Sequence, residues 1–364
     1  MARRVNANVA GLSPYRPGKP IEELARELGL TDIVKLASNE NPRGVSGAVQ
    51  ETIRRAAAGV SRYPDGSGYE LKRALAAHLG VAPEQITLGN GSNDVLNLAA
   101  RMAIAPGAAG IVAEHAFIVH PLAVTLCGGR LVQVPARDYA ADLPAMLEAV
   151  TDHTAIVFLA NPNNPTGTWV DEAALGGFLR ALPEEVWLVL DEAYFEYVDA
   201  PGYPNGIRLI EQHPNLIVTR TFSKIHGLAG LRVGYAVSSP EAADLMNRAR
   251  EPFNVNALAQ AAAVTALADS AYVTESRALN RQGMAALTAG LEQLGLAYIP
   301  SVGNFVTFEV PSRIGAGAAY QALLREGVIV RPVPEYGLPA HLRVTVGLPE
   351  ENQRFLEALQ RVLG

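Results

Sequence analysis

The sequence predicts an α/β fold, with a large, mostly parallel, doubly wound sheet layer followed by a smaller α+β part. Three observations carry this expectation. Short apolar, β-rich runs alternate with helix-like stretches through most of the chain. Many of those runs are apolar throughout instead of alternating, as expected of strands covered by helices on both faces. The 364 residues are also more than one core of ordinary size requires.

In chain order, strands are expected at 86–88, 110–113, 131–134, 155–159, 186–190, 216–219 and 233–237, with helices at 93–104, 143–150 and 171–181 among them. The pattern changes near residue 270. One long amphipathic helix is expected at 275–294, then strands at 304–310, 328–331 and 342–346 mixed with helices at 316–325 and 350–363. Residues 38–270 should therefore form a large domain, and residues 271–364, joined by the N-terminal segment 1–37, a small one. No internal repeat, low-complexity tract or long linker interrupts this order.

Composition narrows the function. Hydrophobic residues make up 49% and charged residues 18%, a globular balance. The net charge of -6 comes from mixed acids and bases without a basic run, which argues against nucleic acid or an anionic membrane as partner. Cys127 is the only cysteine, so an intramolecular disulfide and a cysteine-rich zinc site are excluded. The seven histidines show no metal-ligand spacing, and no metal is expected. The first eight residues lack the apolar core of a secretory signal. No segment approaches the ~18 apolar residues of a membrane span. A cytoplasmic protein is expected.

The residues with chemical potential lie at strand ends. Ser223-Lys224 follows the apolar run 216–219, and Arg232 follows a few residues later. In open α/β sheets the C-terminal strand edge is where ligands bind. There, burial or nearby positive charge would lower a lysine pKa and expose a nucleophilic amine suited to imine formation. Ser223 and Arg232 offer a hydroxyl and a fork of donors that suit a phosphate. A lysine alone is more often a solvated surface residue.

Asp191-Glu192-Ala193-Tyr194 closes the apolar run 186–190. A carboxylate at the end of a buried strand needs a cationic or hydrogen-bonding partner, and a protonated ring nitrogen is one. Tyr194 could then bond a phenolic oxygen on the same ring. Asp191 could equally be a helix N-cap. In Asn161-Pro162-Asn163-Asn164-Pro165-Thr166-Gly167, two prolines and a glycine impose a rigid turn that could aim Asn164 at that oxygen, or simply join a strand to a helix. Gly89-Asn90-Gly91-Ser92-Asn93 lies between strand and helix, where glycines and free N–H groups admit an anion, though the dinucleotide fingerprint spacing is absent. Arg331 and Arg343 each follow or open a late strand. They could grip carboxylate or phosphate through paired hydrogen bonds, or serve as surface ion pairs.

The joint order of these motifs resembles the fold type I (aspartate aminotransferase-like) aminotransferases that depend on pyridoxal 5′-phosphate (PLP). Within that group the chain is most similar to the histidinol-phosphate aminotransferases. The resemblance runs from Leu12-Ser13-Pro14-Tyr15 through Ser38-Asn39-Glu40-Asn41-Pro42, Arg62-Tyr63-Pro64-Asp65-Gly66, the Asn164 turn, Asp191 to Tyr194 and Leu228-Ala229-Gly230-Leu231-Arg232 to Leu342-Arg343-Val344-Thr345-Val346-Gly347.

It implies that Lys224 carries the cofactor as a Schiff base and shuttles the proton. Asp191 would pair with the ring nitrogen, and Asn164 and Tyr194 with the ring oxygen. Gly91, Ser92, Ser223 and Arg232 would cradle the phosphate. Tyr63 would reach the phosphate of a neighbouring subunit, making a homodimer the active unit. Phe117 would stack on the ring where tyrosine is common in the family, and His120 stands where another tyrosine is frequent. Tyr15, Asn39, Asn164, Arg331 and Arg343 are the implied substrate contacts.

The implied reaction converts L-histidinol phosphate and 2-oxoglutarate to imidazole acetol phosphate and L-glutamate, a step of histidine biosynthesis, with ping-pong kinetics. An aminotransferase for aromatic amino acids is the alternative, followed by a PLP decarboxylase of a phosphorylated amino acid. A non-catalytic binding protein is disfavoured by the joint presence of Lys224, Asp191 and Asn164. A nucleotide-binding oxidoreductase lacks its fingerprint, and a serine hydrolase its nucleophile elbow.

Overall fold

Apolar strands dominate the architecture of the computed structural model, which describes residues 5–15 and 17–364; residues 1–4 and 16 of the expected N-terminal segment lie outside the described residues. The strands in chain order are β1 (Val34–Lys35), β2 (Ile86–Gly89), β3 (Ala109–Ala113), β4 (Arg130–Val134), β5 (Thr154–Ala160), β6 (Trp187–Asp191), β7 (Leu216–Thr221), β8 (Gly234–Val237), β9 (Tyr298–Ile299), β10 (Phe305–Glu309), β11 (Val328–Ile329), β12 (Arg331–Val333) and β13 (Leu338–Thr345).

Seven of them form one sheet in the order β2-β8-β7-β6-β5-β3-β4. Its pairs from β7 through β4 are parallel, and only β8 runs antiparallel to its neighbours. The expected mostly parallel α/β layer is what the chain forms. Its strands are apolar throughout because both faces are buried. Along β5, Val157 and Leu159 enter one hydrophobic cluster while Ile156 and Phe158 enter another, and β6 divides Leu188 and Leu190 from Val189 in the same way.

A second, four-stranded sheet has the order β12-β13-β10-β9, all antiparallel. Val306, Phe308, Leu342 and Val344 share a core with Leu323, Phe355 and Leu359 of helices Ala316–Arg325 and Pro349–Leu363. The N-terminal segment joins this part through β1, which pairs in parallel with β11.

Two local expectations differ from the structure. The long helix is Ser270–Gln293 and starts earlier than residue 275, because the Asp269 side chain accepts the Tyr272 N–H at 3.1 Å and caps the first turn. The stretch 328–331 was expected as one strand and is two, since β11 pairs with β1 and β12 pairs with β13 in a different sheet.

The arrangement matters for what the strands deliver. β5, β6 and β7 lie side by side and run in the same direction. Their C-terminal ends are followed by the Asn161–Gly167 turn, by Glu192–Tyr194 and by Ser223-Lys224.

Candidate active site

At that edge lies a cavity of about 200 Å³ lined by Lys224, Asp191, Asn164, Tyr194, Phe117, Ser92, Ser223, Arg232, Asn39, Tyr15 and Arg343. Most residues singled out from the sequence thus meet in one place, although they are spread over more than three hundred positions.

Lys224 is half-buried, and its Nζ donates to the Ser38 carbonyl at 3.4 Å and lies 5.5 Å from the centre of the Tyr194 ring. Burial lowers its amine pKa to about 8; the Arg343 and Arg232 charges act in the same direction, against Glu40 and Asp191. Roughly a tenth of the amine is therefore neutral at pH 7 and able to attack a carbonyl, far more than for an ordinary lysine.

Asp191 ends β6 and is 3% exposed. Its Oδ1 accepts from Thr219 Oγ1 at 3.1 Å and from the Ala193 N–H at 3.2 Å. Its Oδ2 lies 3.3 Å from His120 Nε2. His120 is fully buried, stacked on Phe158 and edge-on to Phe117. The sequence left its effect on substrate choice open. The structure places it against Asp191, outside the cavity lining, where it orients the carboxylate.

Donor assignments follow from the partners. Arg343 Nη1 donates to Asn164 Oδ1, and a guanidinium cannot accept, so the Asn164 amide N–H₂ is left to face elsewhere. Asn39 Nδ2 donates to the Tyr194 oxygen at 2.9 Å, which leaves the phenol proton free to donate. Burial pushes Tyr194 up to about 12, so it stays a neutral donor. Two donors, one amide and one phenol, are thus available to an oxygen on a bound ring.

A third group forms a cup. Arg232 Nη1 donates to Ser223 Oγ at 3.1 Å and to the Ala229 carbonyl at 2.9 Å. Arg232 itself has φ 58, a left-handed backbone that costs a non-glycine residue about 1 kcal/mol. A Cβ at Gly91 (φ +83) would lie 2.5 Å from Arg232 Nη2, and one at Gly234 would lie 2.4 Å from the Ser92 nitrogen. Only glycine leaves this cup open. Ser92 and Asn93 begin a helix, and first-turn N–H groups have no partner within the helix.

The residues present are those a PLP-like group needs: a cup for the phosphate, an acid for the ring nitrogen, two donors for the ring oxygen and an amine. A buried donor adds to this, because Arg343 Nε has no hydrogen-bond partner among the described residues while Nη2 donates to the Ala37 carbonyl at 2.7 Å. Burial also lowers the Arg343 pKa, against the Tyr194 and Tyr336 phenols, which raise it.

Other implied contacts are placed differently from what the sequence implied. Arg331 pairs with Glu335 and lies over the Tyr15 ring at 5.2 Å, so it stands behind Tyr15 and does not line the cavity. The Asn39 side chain is committed to Thr345 Oγ1 and Tyr194, which makes it a brace for the phenol. Tyr63 is 82% exposed and outside this chain's cavity. Sequence reasoning did not single out Tyr336, Ser38 or Thr221, which also line the cavity. Tyr336 lies in the 3-10 turn Pro334–Tyr336, which carries no local signal of proximity, and Ser38 opens a motif whose contact with the cavity the sequence does not show.

Comparison with known proteins agrees with this geometry. The family described as "Aminotransferase class I and II" matches residues 31–359. A histidinol-phosphate aminotransferase 2 of Pseudomonas fluorescens is 55% identical over 98% of this chain and 96% of its own length. One from Pseudomonas aeruginosa is 56% identical over the same shares. Among solved structures, histidinol-phosphate aminotransferase from Sinorhizobium meliloti in complex with pyridoxal-5′-phosphate has a TM-score of 0.91 at 32% identity, covering 100% of this chain and 98% of that one. A Thermus thermophilus aspartate aminotransferase mutant has a TM-score of 0.87 at 26% identity, covering both chains fully.

Proposed function

This chain belongs to the class I and II aminotransferases, and from that premise we propose that it transfers the amino group of L-histidinol phosphate to 2-oxoglutarate, giving imidazole acetol phosphate and L-glutamate. The observation that carries the reading is the meeting of Lys224, Asp191, Asn164 and Tyr194 around one cavity in a chain that is 55% identical to a histidinol-phosphate aminotransferase.

PLP, when bound, supplies an aldehyde that condenses with amines and a cationic ring that draws electrons from the carbon bearing nitrogen. The chain's own residues do the rest. Gly91, Ser92, Ser223 and Arg232 would hold the cofactor's phosphate. Asp191, backed by His120 and Thr219, would hold a proton on its ring nitrogen. Tyr194 and Asn164 would donate to its ring oxygen, and Phe117 would lie against the ring. Lys224 Nζ would supply the amine that holds it and, as a neutral base, would take and hold the proton of the substrate carbon bearing nitrogen. Arg343 serves the phosphate of one substrate and a carboxylate of the other, its flat fork accepting either anion, with Tyr15 lining the approach and Arg331 behind it.

The active unit is a homodimer in which Tyr63 reaches the neighbour's cofactor phosphate. Its near-complete exposure in the single chain is consistent with a partner surface. The division into domains 38–270 and 1–37 with 271–364 is supported by separate cores and by the helix break at Asp269. No helix among the described residues is long and apolar enough to cross a membrane, and a cytoplasmic location accords with that.

The test is a donor screen with 2-oxoglutarate as acceptor. Histidinol phosphate should exceed phenylalanine by at least about tenfold in kcat/KM, the loss expected when a buried arginine has no anion to meet. Preference for phenylalanine would make the chain an aromatic aminotransferase, and carbon dioxide release without 2-oxoglutarate would make it a decarboxylase.

A further inference from the structure

Phe253 has φ 56, a left-handed backbone in which a bulky side chain is an outlier. It is also 44% exposed, so core packing does not require its ring to be there. The ring stacks on Tyr63, with centroids 4.7 Å apart and planes 20° apart. Its edge faces Gly66 of the Tyr63 segment, where a Cβ would lie 3.3 Å from two ring carbons.

The flanking residues hold this conformation in place. Arg250 donates to the Gly66 carbonyl at 3.0 Å and to Asn254 Oδ1 at 2.8 Å. Asn254 Nδ2 donates to the Leu88 carbonyl at 3.1 Å and to Asp94 Oδ2 at 2.7 Å. That same Asp94 oxygen accepts the Asn90 N–H at 2.9 Å, next to Gly91. An unfavourable backbone persists only where its surroundings over-determine it, and such positions gather at functional sites.

We infer that Phe253 is a positioning residue that holds Tyr63 in the orientation this chain presents to the cofactor phosphate of a second copy. The inference rests on the cross-subunit role given to Tyr63 above. An exposed, unstacked tyrosine samples several rotamers, and reaching a partner would cost that freedom. The stack selects one rotamer before the subunits meet, so Phe253 strengthens cofactor binding without touching the cofactor.

The experiment titrates full-length apo-dimers with PLP and reads the dissociation constant by absorbance. The chains compared are wild type, Tyr63→Phe, Phe253→Gly, Phe253→Tyr and the double Tyr63→Phe/Phe253→Gly. Glycine suits the left-handed backbone, so removing the ring does not endanger the fold. Tyr63→Phe and Phe253→Gly should each weaken binding about tenfold, the size expected for losing one hydrogen bond to a charged group. The double variant should be no weaker than the weaker single, and Phe253→Tyr should bind as wild type. Wild-type affinity in Phe253→Gly beside a weakened Tyr63→Phe overturns the inference, as do multiplied losses in the double. Dissociation of the Phe253→Gly dimer overturns it too, because the ring would then build the interface instead of aiming Tyr63. Unchanged affinity in Tyr63→Phe defeats the cross-subunit reading itself, and this inference with it.

Discussion

Lys224 shows how one side chain's surroundings decide its chemistry. An ordinary lysine holds its proton to 10.5, whereas burial and then the Arg343 charge bring this one to about 8. The folded chain therefore gives up the proton before the unfolded chain does. Between about pH 8 and 10.5 the unfolded chain binds more protons, so this group's contribution to the stability of the cofactor-free protein rises with pH across that window. The neutral amine is also the form that attacks. Capture of PLP by the cofactor-free protein should accelerate with a midpoint near pH 8, followed by stopped-flow absorbance. Arg343→Met should move the midpoint upward by removing a repelling charge. A wild-type midpoint in the ordinary lysine range would contradict the account. The sequence pointed to Lys224 through its strand-end position and the Ser223 beside it. It could not reveal Arg343 as the neighbour that tunes it, since the two are far apart in the chain and meet only through the fold.

Strands β6 and β7 translate that residue chemistry into geometry, and a buried ion pair braces their ends. Arg220, four residues before Lys224, donates through Nε and Nη2 to Glu192 Oε2 at 2.9 and 2.7 Å, one residue after Asp191. Both side chains are nearly inaccessible, and Glu192 Oε1 also accepts the Gly206 N–H at 2.8 Å. Burial raises the Glu192 pKa, and Arg220 opposes the rise. Removing one partner leaves the other charge buried and unpaired. Arg220→Met should therefore cost roughly 3–5 kcal/mol in chemical denaturation. The double Arg220→Met/Glu192→Leu should recover a good part of it, because two apolar groups need no partner. A loss below about 1 kcal/mol for Arg220→Met, as at a surface pair, would contradict the bracing role. The same scale shows where sequence reading stops. Strands 155–159 and 186–190 were legible because burial on both faces makes them apolar throughout. Residues 328–331 were not separable, since which sheet β11 and β12 each join depends on partners nearly three hundred residues away in one case and twelve in the other.

At the scale of the whole molecule, the site exists only because the seven-stranded sheet, the four-stranded sheet and the N-terminal segment converge. The sheet edge supplies Lys224, Asp191 and Asn164, β13 supplies Arg343, and the N-terminal segment supplies Tyr15. The motif order made that convergence legible, because each element was familiar as part of one constellation. The partners of two implied residues were not: that His120 meets Asp191 and Asn39 meets Tyr194 is set by packing alone. The central claim is that this convergence makes Lys224 the one amine that takes the cofactor. Borohydride reduction of the PLP-saturated protein, followed by proteolysis and mass spectrometry, tests it directly. The account predicts a phosphopyridoxyl group on Lys224 at close to one per chain, and stoichiometric labelling of a different lysine with Lys224 unmodified would contradict it.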